Sequence, residues 1–152
     1  MLHITEIFYS IQGEGLYSGT PSLFIRLGGC NLRCPGFGVT YSIDGQTYTS
    51  CDSFNAVDKK LFSKTWRPYS DTQTLLHTIK ESIPHNLPCD IVITGGEPLL
   101  NAKDPLLIEL IEILITQNYR ITFETNATQE IDFMTTPIYQ ECTFALAVKL
   151  KD

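Results

Sequence analysis

Two cysteines, Cys30 and Cys34, lie in the glycine-rich segment GGCNLRCPGFG, which spans residues 28–38. Thiolates at this close spacing are typical ligands of an iron–sulfur cluster or of a zinc ion. A compact Cys-x3-Cys-x2-Cys motif would carry its third cysteine at the position of Phe37. The third ligand must therefore come from elsewhere in the chain.

Cys51 is the expected third ligand, and it opens the tripeptide CDS. The intervening residues 39–50 alternate apolar and polar side chains around Asp44-Gly45, which predicts a β-hairpin. Such a hairpin would project outward and return Cys51 to the other two thiols. The entropic cost of closing the loop from Cys34 to Cys51 is about 1.5 kcal/mol higher than that of closing a three-residue loop. Several metal–thiolate bonds offset that cost.

The remaining cysteines, Cys89 and Cys142, lie far from this segment in the sequence. They are expected to be structural, because free cysteine commonly packs as a small hydrophobic side chain. An odd number of cysteines in a chain without an export signal indicates metal ligands rather than disulfides. Zinc remains an alternative to a cluster, but it needs a fourth ligand, for which the candidates are His77, His85 and Cys89.

Alternating strands and helices are expected to position these ligands. The first predicted helix is expected to open with a capping box formed by Ser70 and Gln73, and the second with the pair Asp104-Pro105. This alternation indicates an α/β protein with a mainly parallel sheet. Strands are predicted over residues 3–9, 22–28, 120–126 and 143–150 and within CDIVITGGEP, and helices over about 71–83 and 105–117.

Four polar segments follow or end predicted strands, namely GGCNLRC, TGGEP, ETN and VKLK. In α/β folds, functional groups gather at the carboxyl ends of the strands, so these segments are expected to meet at one rim. The length of 152 residues suits a single domain over 1–152. Since no helix follows the last strand, we expect a C-terminally shortened version of the fold, with an insertion at about residues 35–50.

The overall composition limits the partners of the chain. A net charge of −6 argues against a nucleic-acid-binding surface, which needs clustered lysine and arginine. No apolar run approaches the roughly 20 residues of a membrane span, and no secretory signal precedes the first strand. A cytoplasmic location without nucleic-acid or membrane partners is therefore expected.

In their order along the chain, the motifs resemble 7-carboxy-7-deazaguanine synthase, a family of small radical S-adenosylmethionine enzymes. The resemblance is carried by SIQGEGLYSGTPSLFIRLGGCNLRC, CDS, VITGGEPLL, FETNAT and ALAVKL, and it runs over essentially the whole chain. It implies a partial (β/α) barrel that holds one [4Fe–4S] cluster, S-adenosylmethionine and Mg²⁺. It also implies a homodimer that receives electrons from a flavodoxin-like donor.

The activity that this resemblance implies is the conversion of 6-carboxy-5,6,7,8-tetrahydropterin to 7-carboxy-7-deazaguanine with loss of ammonia. Reduction of the cluster would cleave S-adenosylmethionine, and the adenosyl radical would abstract a hydrogen atom beside the substrate carboxylate. The product would feed 7-deazapurine synthesis, for queuosine in tRNA or for modified DNA.

The resemblance also implies a role for each matching residue. Cys30, Cys34 and Cys51 would ligate the cluster, and the hydroxyl of Ser53 would bind Mg²⁺, which prefers oxygen ligands. Contacts to S-adenosylmethionine are implied for Ser50, Asp52, Gly95, Gly96, Glu97, Glu124, Ala147, Val148 and Lys149. Contacts to the pterin are implied for Ile11, Gln12, Gly13, Glu14, Arg26 and Thr94, with Arg26 and Glu14 as the catalytic pair.

Arg26 also has a physical reason to bind an anion. It lies within the apolar run LFIRLGG, where a charge is costly without a partner. The planar guanidinium fork suits the carboxylate of the pterin, and a structural salt bridge is the alternative.

Two other functions stay open at this point. A glycyl-radical-enzyme activase would share the cluster and the glycine turn, but it should lack the pair formed by QGEG and the strand-borne arginine. A non-enzymatic zinc-binding module would contain no iron, so its solutions would lack iron–sulfide absorbance.

Overall fold

A six-stranded sheet and a separate two-stranded hairpin make up the β structure of the computed structural model, which describes residues 1–36 and 38–149. Phe37 and residues 150–152 lie outside the described residues, so the end of the strand predicted over 143–150 falls outside them too. The strands are β1 (Leu2–Ile11), β2 (Pro21–Leu27), β3 (Val39–Ile43), β4 (Gln46–Ser50), β5 (Arg67–Tyr69), β6 (Asp90–Gly95), β7 (Ile121–Thr125) and β8 (Thr143–Leu146). The helices are α1 (Phe54–Val57), α2 (Lys59–Phe62), α3 (Thr72–Glu81) and α4 (Pro105–Thr116), with 3₁₀ turns at Pro84–Asn86, Pro98–Asn101 and Pro137–Glu141.

The central sheet has the strand order β5-β1-β2-β6-β7-β8. Strands β2, β6, β7 and β8 run parallel to one another, whereas β1 pairs antiparallel with β2 and β5. The structure thus confirms an α/β fold with a mainly parallel sheet. Because these four strands share one direction, the segments that follow them begin at the same edge of the sheet.

Apolar side chains of the sheet and of the two longer helices form one hydrophobic core. In β6, residues 91–93 are all buried, as expected for a parallel strand covered on both faces. Helix α4 contributes Leu107 and Leu110, which are almost fully buried. The thiols of Cys89 and Cys142 pack against this core and are not part of the cysteine-rich segment.

Aspartate side chains cap the N-termini of the two longer helices. Asp104 Oδ1 accepts a hydrogen bond from the Leu106 amide at 2.9 Å, as the predicted pair with proline requires. Asp71 Oδ1 accepts a hydrogen bond from the Thr74 amide at 2.8 Å, so the capping box expected at Ser70 is wrong and α3 begins one residue later than predicted.

Within the described residues, no helix is long and apolar enough to cross a membrane.

Strands β3 and β4 form the predicted hairpin. Asp44 and Gly45 have positive φ angles of 49° and 77°, as a two-residue type I′ turn requires. The ring centroids of Tyr41 and Tyr48 lie 5.0 and 5.6 Å from that of Phe54, the first residue of α1. The hairpin is therefore packed against α1 and does not extend freely into solvent.

Candidate active site

A cavity of about 240 Å³ opens near the carboxyl ends of the parallel strands. Five segments contribute to its walls. Four of them are the segments that follow β2, β6, β7 and β8, and the fifth connects β4 to α1. Most of the predicted site residues line it, namely Glu14, Arg26, Cys30, Cys34, Cys51, Asp52, Ser53, Thr94, Gly95, Gly96, Glu124, Ala147 and Lys149.

The three predicted cluster ligands lie around this cavity, and all three thiols are free and half-buried. Gly36 explains how the hairpin insertion returns Cys51 to the site. Its φ is +62°, and a Cβ atom at this position would lie 2.7 Å from Cys51 Cα and 2.4 Å from the Ser50 carbonyl oxygen. Only glycine lets the backbone after Cys34 approach Cys51 so closely, so the close contact replaces the missing compact motif.

The turn after β6 packs directly against the cysteine segment. A Cβ atom on Gly96 would lie 2.3 Å from the Gly29 carbonyl oxygen and 2.8 Å from Cys30 Cβ. The Glu97 amide donates a hydrogen bond to the same Gly29 carbonyl at 2.8 Å. Absence of a side chain at Gly96 therefore allows two loops to form adjacent walls of the cavity.

Glu97 is fully buried, at 0% exposure, and it is not among the described residues that line the cavity. Its carboxylate accepts hydrogen bonds from the Leu99 amide at 2.9 Å, from the Thr125 hydroxyl at 2.8 Å and from the Asn126 amide at 2.7 Å. The side chain thus joins the turn after β6 to the segment after β7. The observed contacts of its side chain are structural.

Arg26 on β2 has a structural partner as well as an open side. It lies opposite Glu6 of β1 in the antiparallel pair, and its Nε atom is 2.6 Å from Glu6 Oε1. Its Nη1 atom donates a hydrogen bond to the Ser53 hydroxyl at 3.0 Å. The salt bridge considered as an alternative is therefore present, and among the described residues Arg26 Nη2 has no hydrogen-bond partner.

Gln12 connects two segments beside the cavity through its side chain. It is buried, and its Nε2 atom donates a hydrogen bond to Glu124 Oε1 at 3.1 Å while its Oε1 atom accepts one from the Glu14 amide at 3.1 Å. Gln12 therefore braces the loop that carries Glu14 against β7. The neighbouring Ile11 and Gly13 are exposed and, like Gln12, are not among the described residues that line the cavity.

Comparison with known proteins identifies similar proteins, although no model of a protein family matches the chain. It is 36% identical over 127 residues to 7-carboxy-7-deazaguanine synthase of Halobacterium salinarum and 37% identical over 128 residues to that of Rhodospirillum rubrum. These matches cover 84% of this chain in both cases, and 40% and 43% of the two relatives. The crystal structure of QueE from Escherichia coli matches with a TM-score of 0.65 and 26% identity, over 98% of this chain and 60% of that one.

The chain belongs to the 7-carboxy-7-deazaguanine synthase family. It spans less than half the length of the two named relatives.

Two more of the residues predicted for this family are not among the described residues that line the cavity, Ser50 and Val148. Ser50 is buried, with its hydroxyl 4.0 Å from Cys51 Sγ, and Val148 is exposed. The sequence analysis missed four lining residues, Leu32, Val57, Thr125 and Asn126. The motif FETNAT contains two of these, because residues that directly follow a parallel strand commonly reach the site.

The thiols of Cys30, Cys34 and Cys51 all line one cavity. Between residues 1 and 149, Phe37 excepted, no three His, Cys, Asp or Glu side chains converge on one point as the ligands of a single ion would. Ligands of a [4Fe–4S] cluster each bind a different iron atom, so they surround a volume instead. The zinc candidates His77, His85 and Cys89 are not among the described residues that line the cavity.

Electrostatics at Cys30 disfavour a thiolate that has no cation beside it. Burial raises the pKa of its thiol, the Leu32 amide lowers it, and the negative charges of Glu97, Cys34 and Cys51 raise it further. Iron ions would offset this accumulation of negative charge around the cavity and favour the thiolates that bind them. The donor set is therefore chemically consistent with a cluster.

Glu14 carries a pH-dependent interaction that can be tested. Partial burial raises its pKa, the charge of Glu124 and a hydrogen bond to that side chain raise it further, Lys149 opposes the shift, and Asp52 adds to it. Folded protein then binds a proton that unfolded protein releases, so stability falls as pH rises above the ordinary Glu value of about 4.5. The variant Glu124→Gln removes the charge, so we expect its stability to fall less over this range.

Urea unfolding at several pH values between about 4 and 7 measures this difference. Glu112→Gln is a matched control, because Glu112 is an exposed residue of α4. Equal pH dependence in wild type and Glu124→Gln would show that the two carboxyl groups do not interact.

Proposed function

We propose that this chain is a 7-carboxy-7-deazaguanine synthase, a radical S-adenosylmethionine lyase that acts in the cytoplasm. The reaction is the conversion of 6-carboxy-5,6,7,8-tetrahydropterin to 7-carboxy-7-deazaguanine and ammonia, and the product serves 7-deazapurine synthesis such as the queuosine pathway. One observation carries the proposal. The same cavity is lined by three thiols from two separate segments, by the turn after β6, and by Arg26 with Ser53.

Cys30, Cys34 and Cys51 hold the cluster in this proposal. The cluster and S-adenosylmethionine, when bound, supply the radical chemistry. Gly95 and Gly96 line the cavity, and their backbone would contact the cofactor. The side chains that offer further contacts at the cavity wall are Asp52, Glu124 and Lys149, and Ala147 lines it beside them.

The pterin lies, in this proposal, between Arg26, Glu14 and Thr94. Arg26 donates N–H groups to the substrate carboxylate, since a guanidinium fork matches a carboxylate in geometry and charge. Ser53 accepts a hydrogen bond from Arg26 at 3.0 Å, so its hydroxyl would be the protein ligand of a Mg²⁺ ion beside the substrate carboxylate. Mg²⁺ takes few protein ligands and completes its shell with water and substrate oxygens.

We infer further that the six-stranded sheet corresponds to part of a (β/α) barrel and that the enzyme acts as a homodimer with a flavodoxin-like electron donor. The parallel order of β2, β6, β7 and β8 supports the first point, because barrel strands are parallel and in sequence order. The relatives' shared name supports the reaction.

Anaerobic reconstitution with iron and sulfide, followed by incubation with S-adenosylmethionine, reductant and 6-carboxytetrahydropterin, tests the function. Mass spectrometry is expected to detect 7-carboxy-7-deazaguanine. A loaded cluster that produces only 5′-deoxyadenosine would contradict the proposed substrate. Protein that takes up no cluster would contradict the radical mechanism altogether.

Arg26 is expected to control substrate affinity. Arg26→Gln removes the charge and the fork, so KM for the pterin should rise by about 100-fold, the effect of losing a charge-assisted contact of about 2 to 3 kcal/mol. The variant Arg67→Gln is the control, because Arg67 lies exposed on the edge strand β5. An unchanged KM with a lower kcat would instead show that Arg26 does not hold the substrate in the ground state.

A further inference from the structure

Asn126 is a buried residue of the cavity wall with a fixed side-chain orientation. It directly follows β7, is 7% exposed and lines the cavity. Its Oδ1 atom accepts hydrogen bonds from the Thr128 amide at 3.0 Å and from the Thr128 hydroxyl at 2.6 Å. Since two donors hold the oxygen, the orientation of the planar amide is fixed, and with it the direction of Nδ2.

That Nδ2 group points at the cysteine segment. It donates a hydrogen bond to Asn31 Oδ1 at 3.2 Å and lies 4.0 Å from Cys30 Sγ. Asn31 in turn donates from its own Nδ2 to the Thr128 hydroxyl at 2.8 Å. The three side chains form a closed ring of hydrogen bonds that fixes the Cys30 segment relative to β7.

The backbone of Asn126 is fixed as well. Its amide donates to Glu97 Oε2 at 2.7 Å, and the same carboxylate accepts a hydrogen bond from the hydroxyl of Thr125, the preceding residue. The amide Nδ2 is thus oriented by contacts to both neighbouring loops. A group held in this way keeps its direction when the charge of a nearby sulfur changes.

We propose that Asn126 is a positioning residue for the iron–sulfur cluster, which places Cys30 and raises the reduction potential through an amide N–H directed at its sulfur. The inference rests on the proposed function only in requiring that the cysteines bind a cluster. An N–H group near a cluster sulfur stabilises the reduced state, because that state carries more negative charge. Asn126 was not assigned a role from its sequence.

The three sulfurs are not equivalent in this respect. Cys30 Sγ receives the Leu32 amide at 3.4 Å in addition to Asn126, whereas Cys51 Sγ has the Ser50 hydroxyl at 4.0 Å. No hydrogen bond to the sulfur of Cys34 is found in the described part of the chain. Asn126 is therefore the side-chain amide best placed to affect the cluster through a ligand.

The test is a redox titration of the reconstituted cluster, followed by electron paramagnetic resonance, in wild type, Asn126→Asp and Asn126→Ser. Aspartate keeps the size but replaces the N–H donor with a carboxylate oxygen, and serine removes the reach of the amide. Both midpoint potentials are expected to shift to more negative values, with the larger shift in Asn126→Asp. Asn118→Asp is the control, because Asn118 is exposed after α4 and should leave the potential unchanged.

Each result has a clear meaning. Full iron content with unchanged potential in both Asn126 variants would overturn the inference. Loss of iron from either variant, with circular dichroism and urea midpoint like those of wild type, would support placement of Cys30 by Asn126. A shifted potential in protein that forms no 7-carboxy-7-deazaguanine would support the inference while contradicting the proposed reaction, so the two failures are distinguishable.

Discussion

Replacing Cys51 with serine is expected to reduce bound iron at least about tenfold while the fold is retained, since a cluster depends on its full set of thiolates. Cys51 lies outside the main sheet, in the segment between β4 and α1, so its substitution should change unfolding free energy little. Iron and sulfide assays after anaerobic reconstitution, together with the visible absorbance of the cluster, measure the loss. Production of 5′-deoxyadenosine should fall with the iron.

Cys89→Ser is the matched control for this experiment. Cys89 directly precedes β6 at the amino end of the strand, so it lies at the sheet edge opposite to the cavity. Its thiol is partly buried against the core, and the variant should keep wild-type iron content. If Cys51→Ser also keeps its iron, the third ligand is another group and the assignment of Cys51 is wrong.

Glu97→Gln is expected to give the second large effect, a loss of about 2 kcal/mol in unfolding free energy. Glutamine can offer one oxygen to the Leu99 amide and the Thr125 hydroxyl, but its NH₂ group would face the Asn126 amide, which is a donor too. Two buried donors then lie against each other, and neither is satisfied. Glu97→Leu should cost more, about 4 kcal/mol, because all three donors lose their acceptor.

Urea unfolding of the iron-free proteins measures this effect without interference from the cofactor. Glu112→Gln serves as the control here too, and exposed substitutions of this kind usually change stability by no more than about 0.5 kcal/mol. A Glu97→Gln variant as stable as the control would contradict a structural role. Glu97 would then be better explained as a ligand-facing residue.

The meeting of the site residues at one cavity could be predicted from the sequence, because parallel strands bring their carboxyl ends to the same edge of the sheet. Cys30, Gly95 and Glu124 lie within three residues of the carboxyl ends of β2, β6 and β7, and strand order alone brings such positions together. The hairpin was predictable for a similar reason, since Asp44-Gly45 satisfies a local turn requirement. Local patterns of this kind depend little on the rest of the fold.

Other features depend on contacts between distant segments and could not be read from local patterns. The direction of the Glu97 carboxylate is set by donors that lie up to 29 residues away, and the brace from Gln12 to Glu124 spans 112 residues. The cap of α3 was missed for a different reason. Ser70 and Asp71 are both good capping residues, and the choice between them depends on the backbone that leads into the helix.

The contact between Gly36 and Cys51 makes the ligand spacing along the chain independent of the ligand spacing in space. The sulfurs are placed by a backbone contact at the base of the insertion and by the rings that pack on Phe54. The turn at Asp44-Gly45 lies at the far end of β3 and β4 and does not contribute to the placement of the sulfurs. A peptide tag or a fluorescent reporter could be inserted there while the three thiols keep their positions, which makes the hairpin tip a modular attachment point on this protein.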